Sequence, residues 1–180
     1  ALCNRIDRNT GGIVIAAKDA ETLRIMNQKI KDREISKFYL AIIHGKISPA
    51  QGKLEGFILK DEAKKQVKVF DHPVPGGKSA ATIYKTLQIR NGLSLVECEL
   101  LTGRTHQIRA QFAAAGHPLL GDGKYGREKD NKRYGRSFQA LYSYRLSFDF
   151  TTDGGVLEYL EGQSYQVQNV DFVEEYFPKA

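Results

Sequence analysis

Asp7 is the side chain of this sequence best suited to nucleophilic chemistry. It lies between Arg5 and Arg8 and just ahead of Asn9, Thr10, Gly11 and Gly12. A carboxylate in a turn among cations suits attack on an electrophile better than donation of a proton. Taken alone, an Asp that caps a turn is the simpler account, and the glycine pair either makes that turn flexible or lets backbone approach a ligand closely. A second constellation is Arg104, His106 and Arg109, where a helix is expected to begin. Guanidinium groups and helix N-terminal amides both attract phosphate, although an arginine equally serves a buried carboxylate or a surface ion pair. His106 has the chemistry of a general base, and a structural histidine is its simpler reading. Tyr39 follows Lys37 in an apolar stretch. A tyrosine there is either core with its hydroxyl satisfied or a stacking platform for a nucleobase.

Several chemistries lack their residues. The four histidines, His44, His72, His106 and His117, have no HxxxH spacing, and the two cysteines are too few for a zinc cage, so no metal site is expected. GxxxxGK[ST], GxGxxG and GxSxG are absent, which argues against nucleotide hydrolysis, dinucleotide redox chemistry and serine hydrolysis, and against a nucleotide cofactor.

The elements that must position these residues are legible from patterning. The apolar run at residues 12–17 predicts a buried strand. Asp19 is placed to cap a helix in which Leu23, Met26 and Ile30 recur at helical spacing as far as about Arg33. Residues 37–44 predict a second strand, and residues 53–70 two short strands around a polar turn. Asn91-Gly92 between β-prone runs at 81–87 and 93–100 is a strong hairpin signal. A helix is expected from the Arg104 region to Ala115, ended by Gly116 and Pro118. Residues 121–136 read as a long basic surface loop. Residues 139–150 alternate as a strand, with Leu141, Ser143 and Arg145 on one face and Tyr142, Tyr144 and Leu146 on the other. A short helix closes the chain at 171–177. Many strands and few helices predict an α+β domain on a mixed, mostly antiparallel sheet.

The chain has 180 residues, 27 Lys+Arg against 21 Asp+Glu, and a net charge of +6. Its hydrophobic fraction of 41% and charged fraction of 27% are those of a folded globular domain, not of a disordered tail or a collagen-like fibre. No apolar run approaches the roughly 20 residues of a membrane span, so no membrane association is expected. Cys3 and Cys98 permit one disulfide by count, but a reducing cytoplasm is the default compartment. Basic residues gather at Lys60, Lys64, Lys65 and Lys68 and again at Arg127, Lys129, Lys132, Arg133 and Arg136. Each cluster is either a solvated face or a surface for phosphate, and binding that weakens steeply with salt would identify the second.

Three ordered stretches together resemble the RluA-like family of RNA pseudouridine synthases. Asn4 to Gly12 is similar to its HRLDRxTSG motif, Lys37 to Ala41 to its KxYxA strand, and Leu101 to Arg109 to its LxTGRTHQIR motif. His117 to Asp122 and Tyr125 continue the match, so the resemblance covers roughly residues 1–150. It departs from the pattern at Asn4 in place of His, Gly11 in place of Ser and Tyr142 in place of a later His.

The resemblance implies a pseudouridine-synthase-like catalytic domain that isomerises specific uridines in structured rRNA or tRNA, by base flipping and without a cofactor. It makes Asp7 the nucleophile, with Arg109 pairing with it and stabilising its charge. Tyr39 would lie against the flipped uracil as a candidate base. Arg5 would help fill the space left by the extruded nucleotide, and Arg8, Arg104 and His106 would support the RNA. A non-catalytic RNA-binding module is the alternative. In the family the Asp motif follows a stretch of strands and often an accessory RNA-binding domain, whereas Asp7 stands close to Ala1. The resemblance therefore implies that residues 1–180 are one N-terminally truncated catalytic domain, lacking part of its sheet and one wall of its cleft. It also implies an exposed sheet edge open to oligomerisation and puts the activity of this chain by itself in question.

Overall fold

The computed structural model describes residues 1–179. One eight-stranded sheet runs through the molecule: β1 (Gly11–Gly12), β2 (Ile35–His44), β3 (Gln51–Asp61), β4 (Gln66–Phe70), β5 (Lys78–Arg90), β6 (Leu93–Leu100), β7 (Leu141–Phe148) and β8 (Ser164–Gln166). The spatial order is β1-β7-β2-β6-β5-β3-β4, with β8 also on β7. The β1–β7 pair is parallel and the other pairs are antiparallel. The expected α+β architecture on a mixed, mostly antiparallel sheet is what forms.

β2 lies between β6 and β7, and its side chains alternate between two cores. Tyr39, Ala41 and Ile43 join Tyr84, Val96 and Cys98 beneath Ile108 and Phe112 of α2 (Gln107–Ala114). Leu40 and Ile42 face the other way, onto Leu93, Leu95, Tyr144 and Phe172 of α4 (Asp171–Tyr176). Phe112 is fully buried, and truncating such a ring to alanine costs about 3–5 kcal/mol. The hairpin forms as expected: Asn91 and Gly92 join β5 to β6 with φ of 58° and 78°, the positive values a tight hairpin turn requires. Asp19 caps α1 (Ala20–Lys31) by accepting the Thr22 amide at 2.8 Å, and Ile25 and Met26 are its buried apolar positions.

Three expectations are corrected. Residues 12–17 are not a buried strand: only Gly11–Gly12 pairs with β7, and Val14 is 43% exposed. The segment is held instead by the Asn4 side chain, whose Oδ1 accepts the Ile15 amide, and by a single bridge between Leu2 and Ala16. Residues 121–136 are not a surface loop. They contain α3 (Glu128–Tyr134) and bury Asp122 and Asn131. The alternation in β7 is also broken. Phe38 pairs with Arg145 but Tyr39 pairs with Ser143, so Tyr144 is an extra residue in a bulge. Leu141, Ser143 and Leu146 therefore oppose Ala41, Tyr39 and Lys37 on one face, while Tyr144 and Arg145 both reach Glu97 on the other. Cys3 and Cys98 are both free.

Candidate active site

The site gathers where the loop before β1, the middle of β2 and the start of α2 meet. In the loop, Asn9 takes φ 66° and the Thr10 amide donates to the Asp7 carbonyl at 3.0 Å, a tight turn that presents the Asp7 carboxylate. Gln139 fastens this turn, its Nε2 donating to the Arg8 carbonyl at 2.6 Å and to the Thr10 hydroxyl at 3.1 Å. Gly12 is required just beyond: its φ is 122°, and a Cβ there would collide with the Ser143 backbone of β7.

Two of the motif departures prove to be neighbours. Gly11 and Tyr142 are partners in the β1–β7 register, and a Cβ at Gly11 would stand 2.8 Å from the Tyr142 ring. The large ring and the missing side chain fit each other. Asn4 has its own task, capping the Ile15 amide at 2.7 Å.

Across from the turn, Asp7, Thr10, Tyr39, Leu100, Gln107 and Ile108 line a hollow of about 40 Å³. Tyr39 and Leu100 also border a larger cleft of about 620 Å³ into which Arg5, Lys37 and Arg104 project. Tyr39 is 6% exposed. Burial pushes its phenol up to about 12, the Asp7 charge adds to the rise, and the Ser143 side chain opposes it. Burial likewise lowers the Lys37 ammonium.

Behind Asp7 lies a buried cation. Arg109, in the first turn of α2, donates from Nε and Nη2 to Asp122 at 2.7 and 3.0 Å, in the two-pronged geometry suited to a guanidinium and a carboxylate. Its Nη1 stands 4.0 Å from Asp7 Oδ2. The expected Asp7–Arg109 pair is present at the outer limit of ion-pair distance, and Asp122 is the principal partner of Arg109. One edge of the guanidinium is already filled, which leaves only its far nitrogen for Asp7. Burial works against both charges of the Arg109–Asp122 pair, but their mutual hydrogen bonds prevail and hold the guanidinium above, and the carboxyl below, the usual range. Asp122 also accepts the backbone amides of Lys124 and Tyr125. The Gly121-Asp122 dipeptide was visible in the sequence, but nothing in its spacing marks it as the partner of a residue 13 positions earlier.

The remaining site residues separate. His106 lies just outside α2 in the left-handed conformation, φ 52°, with Nδ1 2.7 Å from the Tyr125 hydroxyl. Burial lowers its pKa, helped by the Arg109 and Lys124 charges and opposed by Asp7 and Asp122. Tyr125 in turn accepts the Val67 amide at 2.9 Å and places its ring 5.3 Å from the Arg109 guanidinium. Arg104 is tied by Nε to the Ser79 carbonyl at 2.8 Å, and Gln107 braces the same turn by accepting the Arg104 amide. Arg5 and Arg8 are exposed. Asp7, Tyr39 and Arg109 are therefore brought together, Arg5 and Arg104 border the adjoining cleft, His106 stands behind Arg109, and Arg8 stays outside. Among the described residues no three His, Cys, Asp or Glu side chains gather as a metal-binding group, and no helix is long and apolar enough to cross a membrane.

A family described as RNA pseudouridylate synthase matches residues 1–114. The chain belongs to that family of RNA pseudouridine synthases. It is 35% identical over 148 residues to "Ribosomal large subunit pseudouridine synthase D" of Borreliella burgdorferi, covering 82% of this chain and 44% of that protein. It is 34% identical over 158 residues to "Uncharacterized RNA pseudouridine synthase YlyB" of Bacillus subtilis, covering 88% and 50%. The chain thus spans about half the length of the curated relatives it matches. The fold recurs in human RNA Pseudouridylate Synthase Domain Containing 4, with a TM-score of 0.75 at 21% identity over 95% of this chain and 72% of the other. Human RNA Pseudouridylate Synthase Domain Containing 1 gives 0.71 at 22% over 97% and 78%.

Proposed function

We propose that this chain carries the centre at which uridine in structured rRNA or tRNA is isomerised to pseudouridine, with Asp7 as the nucleophile and no cofactor. The observation that carries the reading is the Asp7 carboxylate, 24% exposed, facing the buried Tyr39 across the hollow, with the inward nitrogen of Arg109 at 4.0 Å. The reaction breaks the bond from ribose C1′ to uracil N1, turns the base, and joins C1′ to C5. The C5 proton leaves and N1 gains one, so atoms and electrons balance within the substrate. A fixed carboxylate supplies what the electron-poor sugar carbon needs while the base is detached. Arg109 fixes where that carboxylate sits.

Tyr39 is placed to lie flat against a base that has left its stack. A phenol pushed up to about 12 does not rest as phenolate. The part of that rise due to Asp7 vanishes once the carboxylate is consumed, but burial, the larger part, remains. Tyr39 therefore enters the step as the neutral phenol and takes the C5 proton only as it gives up its own to an acceptor. Arg5 helps fill the space left by the extruded nucleotide, Arg8 and Arg104 support the RNA, and His106 does so from its place against Tyr125. This reading places the protein in the cytoplasm with its substrate.

The test is conversion of uridines in rRNA and tRNA by full-length protein, read by a chemical probe for pseudouridine. Asp7→Asn is expected to lower turnover on the order of 10⁴-fold while leaving RNA binding intact. Normal turnover in that variant overturns the nucleophile. Salt-sensitive binding without conversion of any RNA by the unaltered protein identifies a non-catalytic RNA-binding module instead.

A further inference from the structure

We propose that Asn131, outside every motif above, is a positioning residue that sets the aim of Arg109 through Asp122. Asn131 is the buried residue of α3, a helix whose Lys129, Lys132 and Arg133 face solvent. Its Oδ1 accepts the Gly121 amide and the His44 ring nitrogen Nε2, each at 2.8 Å, and its Nδ2 donates to the Asp122 carbonyl at 3.1 Å. A backbone N–H only donates and a carbonyl only accepts, so these two contacts fix which end of the amide is oxygen. His44 must then carry its proton on Nε2, because it meets an acceptor.

His44 is the last residue of β2, the strand that carries Tyr39, and Asp122 is the residue that fills one edge of Arg109. One amide therefore ties the strand under the site to the turn behind it. α3 has other anchors: the Tyr134 hydroxyl donates to the Asn91 carbonyl at 2.6 Å, and the Tyr176 hydroxyl donates to the Tyr134 carbonyl at 3.0 Å. Removing the amide would thus release the Gly121-Asp122 turn more than the helix. It would leave the Gly121 N–H, the Asp122 carbonyl and the His44 ring without these partners, and the freed turn would let Arg109 drift from Asp7. Misplacement of about 1 Å at a reacting centre costs on the order of 10²-fold in rate.

The kinetic consequence rests on the proposed function, whereas the mechanical link does not, and the experiment reads both. Full-length protein with ¹⁵N-labelled arginine is compared with Asn131→Ala, His44→Ala, His44→Gln and Met26→Ala. The last thins the separate core under α1, which holds no residue of α3 or of the Gly121-Asp122 turn, and controls for plain loss of stability. In Asn131→Ala the Arg109 Nε–H signal is expected to shift and exchange faster, with kcat down about tenfold and KM within about twofold. His44→Ala, the milder variant if Asn131→Ala does not fold, is expected to show the same change at smaller amplitude. His44→Gln, which restores a donor, is expected to reverse it. An unchanged Arg109 signal in Asn131→Ala and His44→Ala, or an equal change in Met26→Ala, overturns the positioning role. A shifted Arg109 signal in a protein whose unaltered form makes no pseudouridine sinks the proposed function and leaves the positioning role standing.

Discussion

Among the described residues two ion pairs are buried, and they are built to different ends. Lys29 and Glu34 are each 3% exposed. Lys29 donates to Glu34 and to both the carbonyl and hydroxyl of Thr152. Glu34 in turn accepts the Thr152 amide and hydroxyl. Every donor of the ammonium is used, and the pair does nothing but pin the end of α1 to the turn after β7. Arg109 and Asp122 are buried as deeply, at 7% and 0%, but the guanidinium keeps a nitrogen uncommitted and points it at Asp7 from 4.0 Å. Completing a buried pair gives a fastening. Leaving one donor over gives a fastening that also presents charge to a cavity.

Breaking the open pair is expected to have the largest effect on stability. Asp122→Asn leaves the Arg109 charge buried without its partner and should cost about 3–5 kcal/mol, read as a lower urea midpoint, with turnover falling alongside. Tyr39→Phe tests the cavity that the open pair faces. Turnover should fall about 10²-fold, while stability changes by about 1 kcal/mol or less in the same urea titration.

Glu34→Gln tests the closed pair and should lower the melting temperature without changing kcat. Its pH dependence has a definite sign. Burial alone would raise the Glu34 carboxyl, but hydrogen bonds from Thr152, Thr151 and Lys29 prevail and bring it from 4.5 to about 2. A depressed folded-state value means stability present above pH 4.5 and lost as pH falls toward 2. The urea midpoints of unaltered protein and Glu34→Gln should therefore converge across that window. The smallest effect belongs to cations outside both pairs. Lys132→Glu should reduce the slope of log affinity against log salt by about 1 and leave kcat unchanged in a filter-binding and turnover comparison.

The sequence was most legible where structure is local. The hairpin at Asn91-Gly92, the cap at Asp19 and the stop at Gly116 each depend on a residue and its immediate neighbours, and each formed. Tyr39, Asp7 and Arg109 came together because three short motifs carried them. The failures share a cause. The run at 12–17 has strand composition, but pairing belongs to two strands, and only Gly11 and Gly12 find a full partner. The loop at 121–136 hides a helix whose buried position is an asparagine, a residue that patterning scores as polar and exposed. Asp122 and Asn131 acquire meaning only through partners 13 and 87 positions away.

The bulge in β7 bears on how chain length can vary. Losing one residue from mid-strand normally turns every later side chain over to the opposite face. Tyr144 is the exception, because it is already the unpaired residue between Ser143 and Arg145. Its removal would leave Ser143 opposite Tyr39 and Leu146 opposite Lys37, so the register survives, and what is lost is the Tyr144 ring from the core, its contact with Glu97 and the carbonyl that accepts the Val167 amide. The site has a point beside it where the chain can shorten by one without losing its aim.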